Sequence, residues 1–158
     1  MRPGAVLDDR FEVGPRVATG GSAAVHRGRD RTTGADVAIK VLLQADDAAR
    51  ARFAQEAEVL SRLAHPSIAA YVARGTADDG HPYLVMRWAA GETLAERIGR
   101  EGKLAPPAAA ALGIGVLDAL AAMHAAGVAS LTHDRPSGIL FHQEIQHRRP
   151  ILQLRQLP

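Results

Sequence analysis

The stretch DVAIKVL, residues 36–42, puts a lysine in the middle of an otherwise apolar strand, and no other feature restricts the fold of this chain as much. Side chains alternate across a strand, so Val37, Ile39 and Val41 share one face while Ala38, Lys40 and Leu42 share the other. Lys40 is therefore flanked by apolar neighbours on its own face. Lysine is otherwise scarce: of 19 Lys plus Arg, only Lys40 and Lys103 are lysine. A lone buried ammonium is costly. Two arrangements relieve that cost: an edge strand from which the lysine reaches water, or an opposite charge facing it from another element.

The segment after this strand supplies such a charge. Residues 45–65, ADDAARARFAQEAEVLSRLAH, read as a helix, with Asp46 and Asp47 at its N-terminal end and His65-Pro66 stopping it. Phe53, Leu60 and Leu63 mark its apolar stripe, and Glu56 falls within that stripe. Strands are expected at 11–18, 24–30 and 36–42, joined by the turns TGGS and RTTGA, and again at 67–75 and 81–89 around TADDG. A short helix is expected at 92–100. A long alanine-rich helix opens at Pro106-Pro107 and closes at Gly127. Beyond residue 128 the pattern weakens to two short apolar runs, GILF and ILQL. The first part reads as an antiparallel sheet with one helix packed on it.

Composition narrows the function classes. At 158 residues, 47% hydrophobic and 23% charged, the chain has the make-up of a soluble globular protein with one sizeable core or two small lobes. A net charge of +2 argues against electrostatic capture of nucleic acid or an anionic membrane, and HRRP at 147–150 is too short a basic run to change that. No cysteine is present, so disulfides and thiolate metal sites are excluded. The start MRPGAVLDDRFEV lacks the pattern of a signal peptide. The stretch 105–131 is long enough to span a bilayer, but it carries Asp118 and His124 among alanines and glycines, which disfavours a span. A cytoplasmic location is the expectation. His142 and His147 lack the spacing of a metal site and read as surface residues, so no metal ligand is assigned.

VATGGSAAVHRG, then VAIK, then Glu56 in RFAQEAEVLSRLAHPSI, then YLVMRWAAGETL, then ALAAMHAAGV, in that order, resemble a bacterial serine/threonine protein kinase domain of the Hanks type. The resemblance implies an α+β fold. A small lobe of five antiparallel strands and one helix would cover 8–88, and the hinge with an incomplete helical large lobe would cover 89–158. It implies that Lys40 holds the α- and β-phosphates of ATP and that Glu56 orients it. Val17, Gly20 and Gly21 would belong to the phosphate loop. Of the family pattern G-x-G-x-x-G-x-V, which falls on Ala18, Gly20, Ala23 and Val25, only the middle glycine is kept, so any ATP binding is expected to be weak. Val25 and Ala38 would roof the adenine, Met86 would be the gatekeeper, the backbone of Arg87 and Ala89 would face the base, and Leu140 would be the floor. Glu92 is a further candidate for ribose contact.

The catalytic part of the resemblance departs from the family. The segment LTHDRPSGIL, 131–140, stands where the family has its catalytic loop. Anchored on PSGIL, His133 takes the place of the catalytic aspartate, Arg135 that of the lysine, and Gly138 that of the metal-binding asparagine. Asp134 could supply the carboxylate if the loop is shifted by one residue. After ILQL the sequence reads RQLP, with no D-F-G, so magnesium lacks both of its family ligands. Three functions follow as expectations. The first is a kinase-like binding or regulatory module without catalysis, a pseudokinase. The second is a working ATP-dependent serine/threonine kinase using Asp134 or completed by another chain, and the third is a gene fragment without function. The long helix 106–126 carries the stripe Leu112, Val116, Leu120 and Met123, broadened by Ile114 and Leu117, and is expected to self-associate or bind a protein partner.

Overall fold

In a computed structural model, residues 1–43 and 46–126 are described. Gly127, Asp134, Leu140 and both short apolar runs lie outside them. The strands are β1 (Val6–Leu7), β2 (Phe11–Thr19), β3 (Ala23–Asp30), β4 (Asp36–Leu42), β5 (Tyr71–Thr76) and β6 (Pro82–Arg87). The helices are α1 (Asp47–Arg62), α2 (Leu94–Glu101) and α3 (Pro106–Ala125). All strand pairs are antiparallel, in the order β1-β2-β3-β4-β6-β5. The sheet thus has six strands where five were expected. The addition is the two-residue β1, whose turn back into β2 uses Asp8 and Asp9 with φ of 49° and 54°. The Arg10 N–H donates to the Leu7 carbonyl at 3.0 Å, closing a tight hairpin. Two consecutive left-handed residues are the backbone such a turn needs, and Asp tolerates that region better than most residues.

β4 lies inside the sheet, between β3 and β6, and is buried on both faces beyond Asp36. Its alternation divides the core. Val37, Ile39 and Val41 pack with Leu7, Phe11, Val13, Tyr83 and Val85 on one face. Leu42, Leu84 and Met86 pack on the other with Phe53, Ala57 and Leu60 of α1 and Ala119 and Met123 of α3. The expected face assignment of β4 is the one observed. Because β4 is not an edge strand, the edge-strand escape for Lys40 is closed.

Element ends follow local chemistry. The Asp46 carboxylate caps α1 by accepting the Ala49 N–H at 2.7 Å. α1 ends at Arg62, three residues before the expected end, and residues 65–68 form a turn with the Ile68 N–H on the His65 carbonyl at 3.1 Å. That turn drops Ile68 into the core, so β5 begins at Tyr71 and not at 67. In α2 a Thr93–Glu96 capping box sets the start at Leu94, which leaves Glu92 outside the helix. Among the described residues α3 is the one helix long and apolar enough to cross a membrane. In this fold it sets Ala119 and Met123 into the core, with Leu112, Val116 and Leu120 half-buried.

The β2–β3 end of the sheet is tied by a nearly closed charge. Asp30, 2% exposed, accepts from Arg10 Nε at 3.0 Å and Nη2 at 2.8 Å, and from the Thr32 N–H at 3.0 Å. The Arg10 guanidinium, chiefly, holds the Asp30 carboxyl well below the usual carboxylate range, against the opposing effect of burial. A carboxyl whose folded pKa is depressed stabilises the fold above its unfolded pKa of about 4, and that contribution is lost as pH falls below it. Thermal unfolding followed between about pH 6 and pH 3 should therefore show a decline in Tm that is shallower in Asp30→Asn than in wild type. Parallel slopes would show that the pair contributes nothing.

Candidate functional site

The charge that β4 buries is met from α1. Lys40, 3% exposed, places Nζ 2.6 Å from Glu56 Oε1 and 2.9 Å from Oε2. The Phe53 ring lies 5.8 Å from the same ammonium. An ammonium has three N–H donors, and Glu56 takes two. Among the described residues the third has no acceptor. Glu56 lies on the inner side of α1 among Phe53, Ala57 and Leu60, all buried, and its own side chain is partly open to solvent.

Register places the other sequence-derived candidates around this pair. Val25 lies directly opposite Lys40 on β3, and Ala38 lies opposite Met86 on β6. Directly opposed residues share a face, so Val25, Ala38, Lys40 and Met86 form one wall. Ala38 and Met86 are closed to solvent and Val25 is half-buried. Val17, half exposed, falls in the register shift between Arg16 and Ala18, an irregularity that alternation along the sequence does not reveal. Arg87 pairs with Val37 and so belongs to the opposite face. Its N–H donates to the Ala70 carbonyl at 2.8 Å. Ala89 follows at the end of β6, half-buried.

The turn between β2 and β3 closes through the Gly20 N–H on the Ala23 carbonyl at 2.8 Å. Neither Gly20 nor Gly21 has a positive φ. A Cβ on Gly20 would meet only the Ala23 carbonyl oxygen, at 3.7 Å, and one on Gly21 would meet nothing within 4 Å. The fold of the turn therefore requires glycine at neither position.

Glu92 is engaged elsewhere. Its carboxylate accepts from Arg100 Nε at 3.1 Å and Nη2 at 2.5 Å, and Arg100 holds its pKa below the ordinary glutamate value. As a ribose contact it would first have to leave Arg100. Asp134 and Leu140 lie outside the described residues. Two long-range contacts escaped sequence reading altogether. In one, Arg27 stacks 5.2 Å from the Trp88 ring. In the other, His65 Nε2 lies 3.1 Å from Asp118 on α3. Both join elements far apart in the chain, and no local pattern marks such pairs.

Removing one partner of the buried pair should cost more than removing both. Glu56→Ala, which strands the Lys40 ammonium, is expected to lower stability by about 2 kcal/mol in urea unfolding. Adding Lys40→Met should restore part of that loss. Strictly additive losses would mean that the two groups do not interact in solution.

The sequence pattern of the protein kinase domain matches residues 11–144. Serine/threonine-protein kinase PknL of Mycobacterium tuberculosis is 37% identical over 127 residues, covering 78% of this chain and 32% of PknL. A probable serine/threonine-protein kinase of Streptomyces coelicolor, SCO3848, is 37% identical over 130 residues, covering 77% of this chain and 19% of that protein. The chain thus spans between about a fifth and a third of the length of these relatives. The crystal structure of the PknI kinase domain of M. tuberculosis has the same fold, with a TM-score of 0.71 at 24% identity over 90% of this chain and 58% of that one. A second structure of that domain gives a TM-score of 0.63 at 26% identity, over 80% and 52% respectively. Collinear motifs, sheet order and the Lys40–Glu56 pair converge with these likenesses: the chain belongs to the protein kinase domain family, and its relatives are bacterial serine/threonine kinases.

Proposed function

We propose that this chain is a kinase-like nucleotide-binding module, a pseudokinase that holds ATP weakly on the Lys40 face and works by binding or regulation without phosphoryl transfer. The observation that carries the reading is a buried ammonium, clamped by Glu56, with one N–H donor unspent among the described residues. A phosphate oxygen is the kind of acceptor that would complete it. The β2–β3 turn supports the same reading. Glycines that the turn itself does not need are explained by an outside group that approaches the backbone closely, as phosphates do. Lys40 would hold the phosphates, Glu56 would keep Lys40 in place, and Val25, Ala38 and Met86 would flank the base. ATP supplies the transferable phosphoryl group in this family. Here Gly138, standing where the resemblance puts a metal-binding asparagine, offers no ligand for magnesium, and phosphoryl transfer depends chiefly on such charge stabilisation.

Titration of a fluorescent ATP analogue should give weak, saturable binding to wild type and at least a tenfold loss in Lys40→Met. Equal affinity in both would remove Lys40 as a phosphate ligand. Incubation with γ-labelled ATP and magnesium should transfer no label to protein. Incorporation abolished by Asp134→Asn would instead favour a working kinase.

α3 is the element we propose for contact with a second protein or another copy of the chain. Ile114 and Leu117 are 68% and 67% exposed on the side away from Ala119 and Met123. Exposed apolar surface of this kind marks interfaces more often than free surface. Light scattering after size-exclusion chromatography should show self-association in wild type that Ile114→Glu/Leu117→Glu abolishes. A wild-type monomer that binds no hydrophobic dye would defeat this assignment.

A further inference from the structure

The wall that carries Lys40 has a second charged group at its other end. Arg27 lies directly opposite Ala38, and Asp36 precedes Ala38 by two residues on β4, so both share the face of Ala38 and Lys40. The Arg27 guanidinium donates to the Asp36 carboxylate at 2.6 Å and stacks 5.2 Å from the Trp88 ring. The Trp88 N–H in turn donates to the Asp36 carbonyl at 3.3 Å. The β3–β4 hairpin and the residues after β6, distant from it in sequence, meet in this cluster.

Packing does not hold Arg27 where it is. Its side chain is 51% exposed, and it borders an open depression of about 200 Å³ that Glu12, Gly14 and Arg29 also line. What holds it is the Asp36 carboxylate, and what it holds is Trp88, two residues beyond Met86. Backbone hydrogen bonds from Arg87 to Ala70 and from Trp88 to Asp36 hold this segment to the sheet, and the anchored arginine adds a contact to the Trp88 ring that those bonds do not supply.

We propose that Arg27 is a positioning residue for the base end of the nucleotide site: fixed by Asp36, it pins Trp88 and keeps the backbone that follows Met86 in the arrangement that receives the purine. The proposal rests on the nucleotide reading above, which assigns the base to the wall of Val25, Ala38 and Met86. Lys40 serves the phosphate end and Arg27 the base end, so the two should act independently.

The test uses the whole chain, in which Trp88 is the single tryptophan and therefore an intrinsic reporter. Acrylamide quenching of Trp88 fluorescence is measured in wild type, Arg27→Met, Arg27→Lys and Asp36→Asn. Affinities for adenosine and for a fluorescent ATP analogue are measured alongside, with Lys40→Met as the phosphate-end control and circular dichroism as the check on folding. Arg27→Met and Asp36→Asn should make Trp88 more quenchable and weaken adenosine and ATP by the same factor, about threefold or more. Arg27→Lys, which keeps the cation over the ring, should recover part of both effects. Lys40→Met should weaken ATP far more than adenosine and leave Trp88 unchanged. Unaltered quenching in folded Arg27→Met overturns the restraint on Trp88. Altered quenching with unaltered adenosine affinity overturns the positioning role while leaving the nucleotide site standing. Absence of nucleotide binding to wild type overturns the site itself, and the positioning role with it.

Discussion

Everything in the small lobe is arranged around one ammonium that cannot reach water. Lys40 sits on a strand with neighbours on both sides, on a face lined by Ala38 and Leu42, and is 3% exposed. Uncompensated, such a charge would cost several kcal/mol. The compensation comes from a helix, which fixes more than a contact. Glu56 can meet Nζ with both carboxylate oxygens only if α1 lies across the face of β4 with Phe53 and Leu60 turned inward. The ion pair and the apolar stripe therefore demand the same helix orientation, and each reinforces the other. Replacement by two apolar residues would often be as stable, so a pair like this is weak evidence for stability as its purpose.

The strand order makes that orientation possible. After β4 the chain leaves the sheet through α1 and returns as β5 at the edge, and β6 then fills the place between β4 and β5. Leu84 and Met86 of β6 thereby complete the face that α1 covers, while Tyr83 and Val85 complete the opposite one. The same return brings residues 87–89 beside the start of β4, where the Trp88 N–H finds the Asp36 carbonyl. α3 closes the helix side by inserting Ala119 and Met123, and the His65–Asp118 contact joins it to the turn that follows α1. A shift of α1 would thus be felt both at Lys40 and at α3.

What the sequence disclosed and what it withheld divide along physical lines. Lys40 and Glu56 were legible because period-2 and period-3.6 patterns each place a charge on an apolar face, and two such misfits resolve each other. The glycine turn, the two faces of β4 and the Asp46 start of α1 were legible for similar, local reasons. β1 was missed because two residues carry no periodicity and its turn relies on left-handed aspartates, which occupy such a conformation only when pairing holds them there. The register shift near Val17 depends on how β2 meets β3, and the Arg27–Trp88 stack joins residues far apart in the chain, so no window of sequence shows either. Glu92 and Arg100 do share the window read as a helix, but their separation of eight residues is not the three- or four-residue spacing by which helical pairs are read. The apolar stripe expected on α3 does face the core, with Met123 buried and Leu112, Val116 and Leu120 half-buried, but the sequence reading left out Ala119. The buried face turns on Ala119, whose small side chain allows close approach to the core, while Ile114 and Leu117 point away.

The two charged ends of the wall differ in a way that bears on how a ligand would be received. At the Lys40 end the charge is enclosed, its geometry is set by the core, and the entropy of ordering it has already been lost in folding. A phosphate arriving there would meet a fixed donor at little further cost. At the other end Arg27 and Asp36 are 51% and 42% exposed, so their attraction is screened and their order is only as firm as one hydrogen-bonded pair and one ring contact. On the proposed nucleotide reading, the enclosed Lys40 end would select the anionic part of a ligand, and the ring would be received at an end held by the weaker Arg27–Asp36 and Arg27–Trp88 contacts. Since Ala38 and Met86 are closed to solvent in this structure, entry of a ring beside them requires side chains to move.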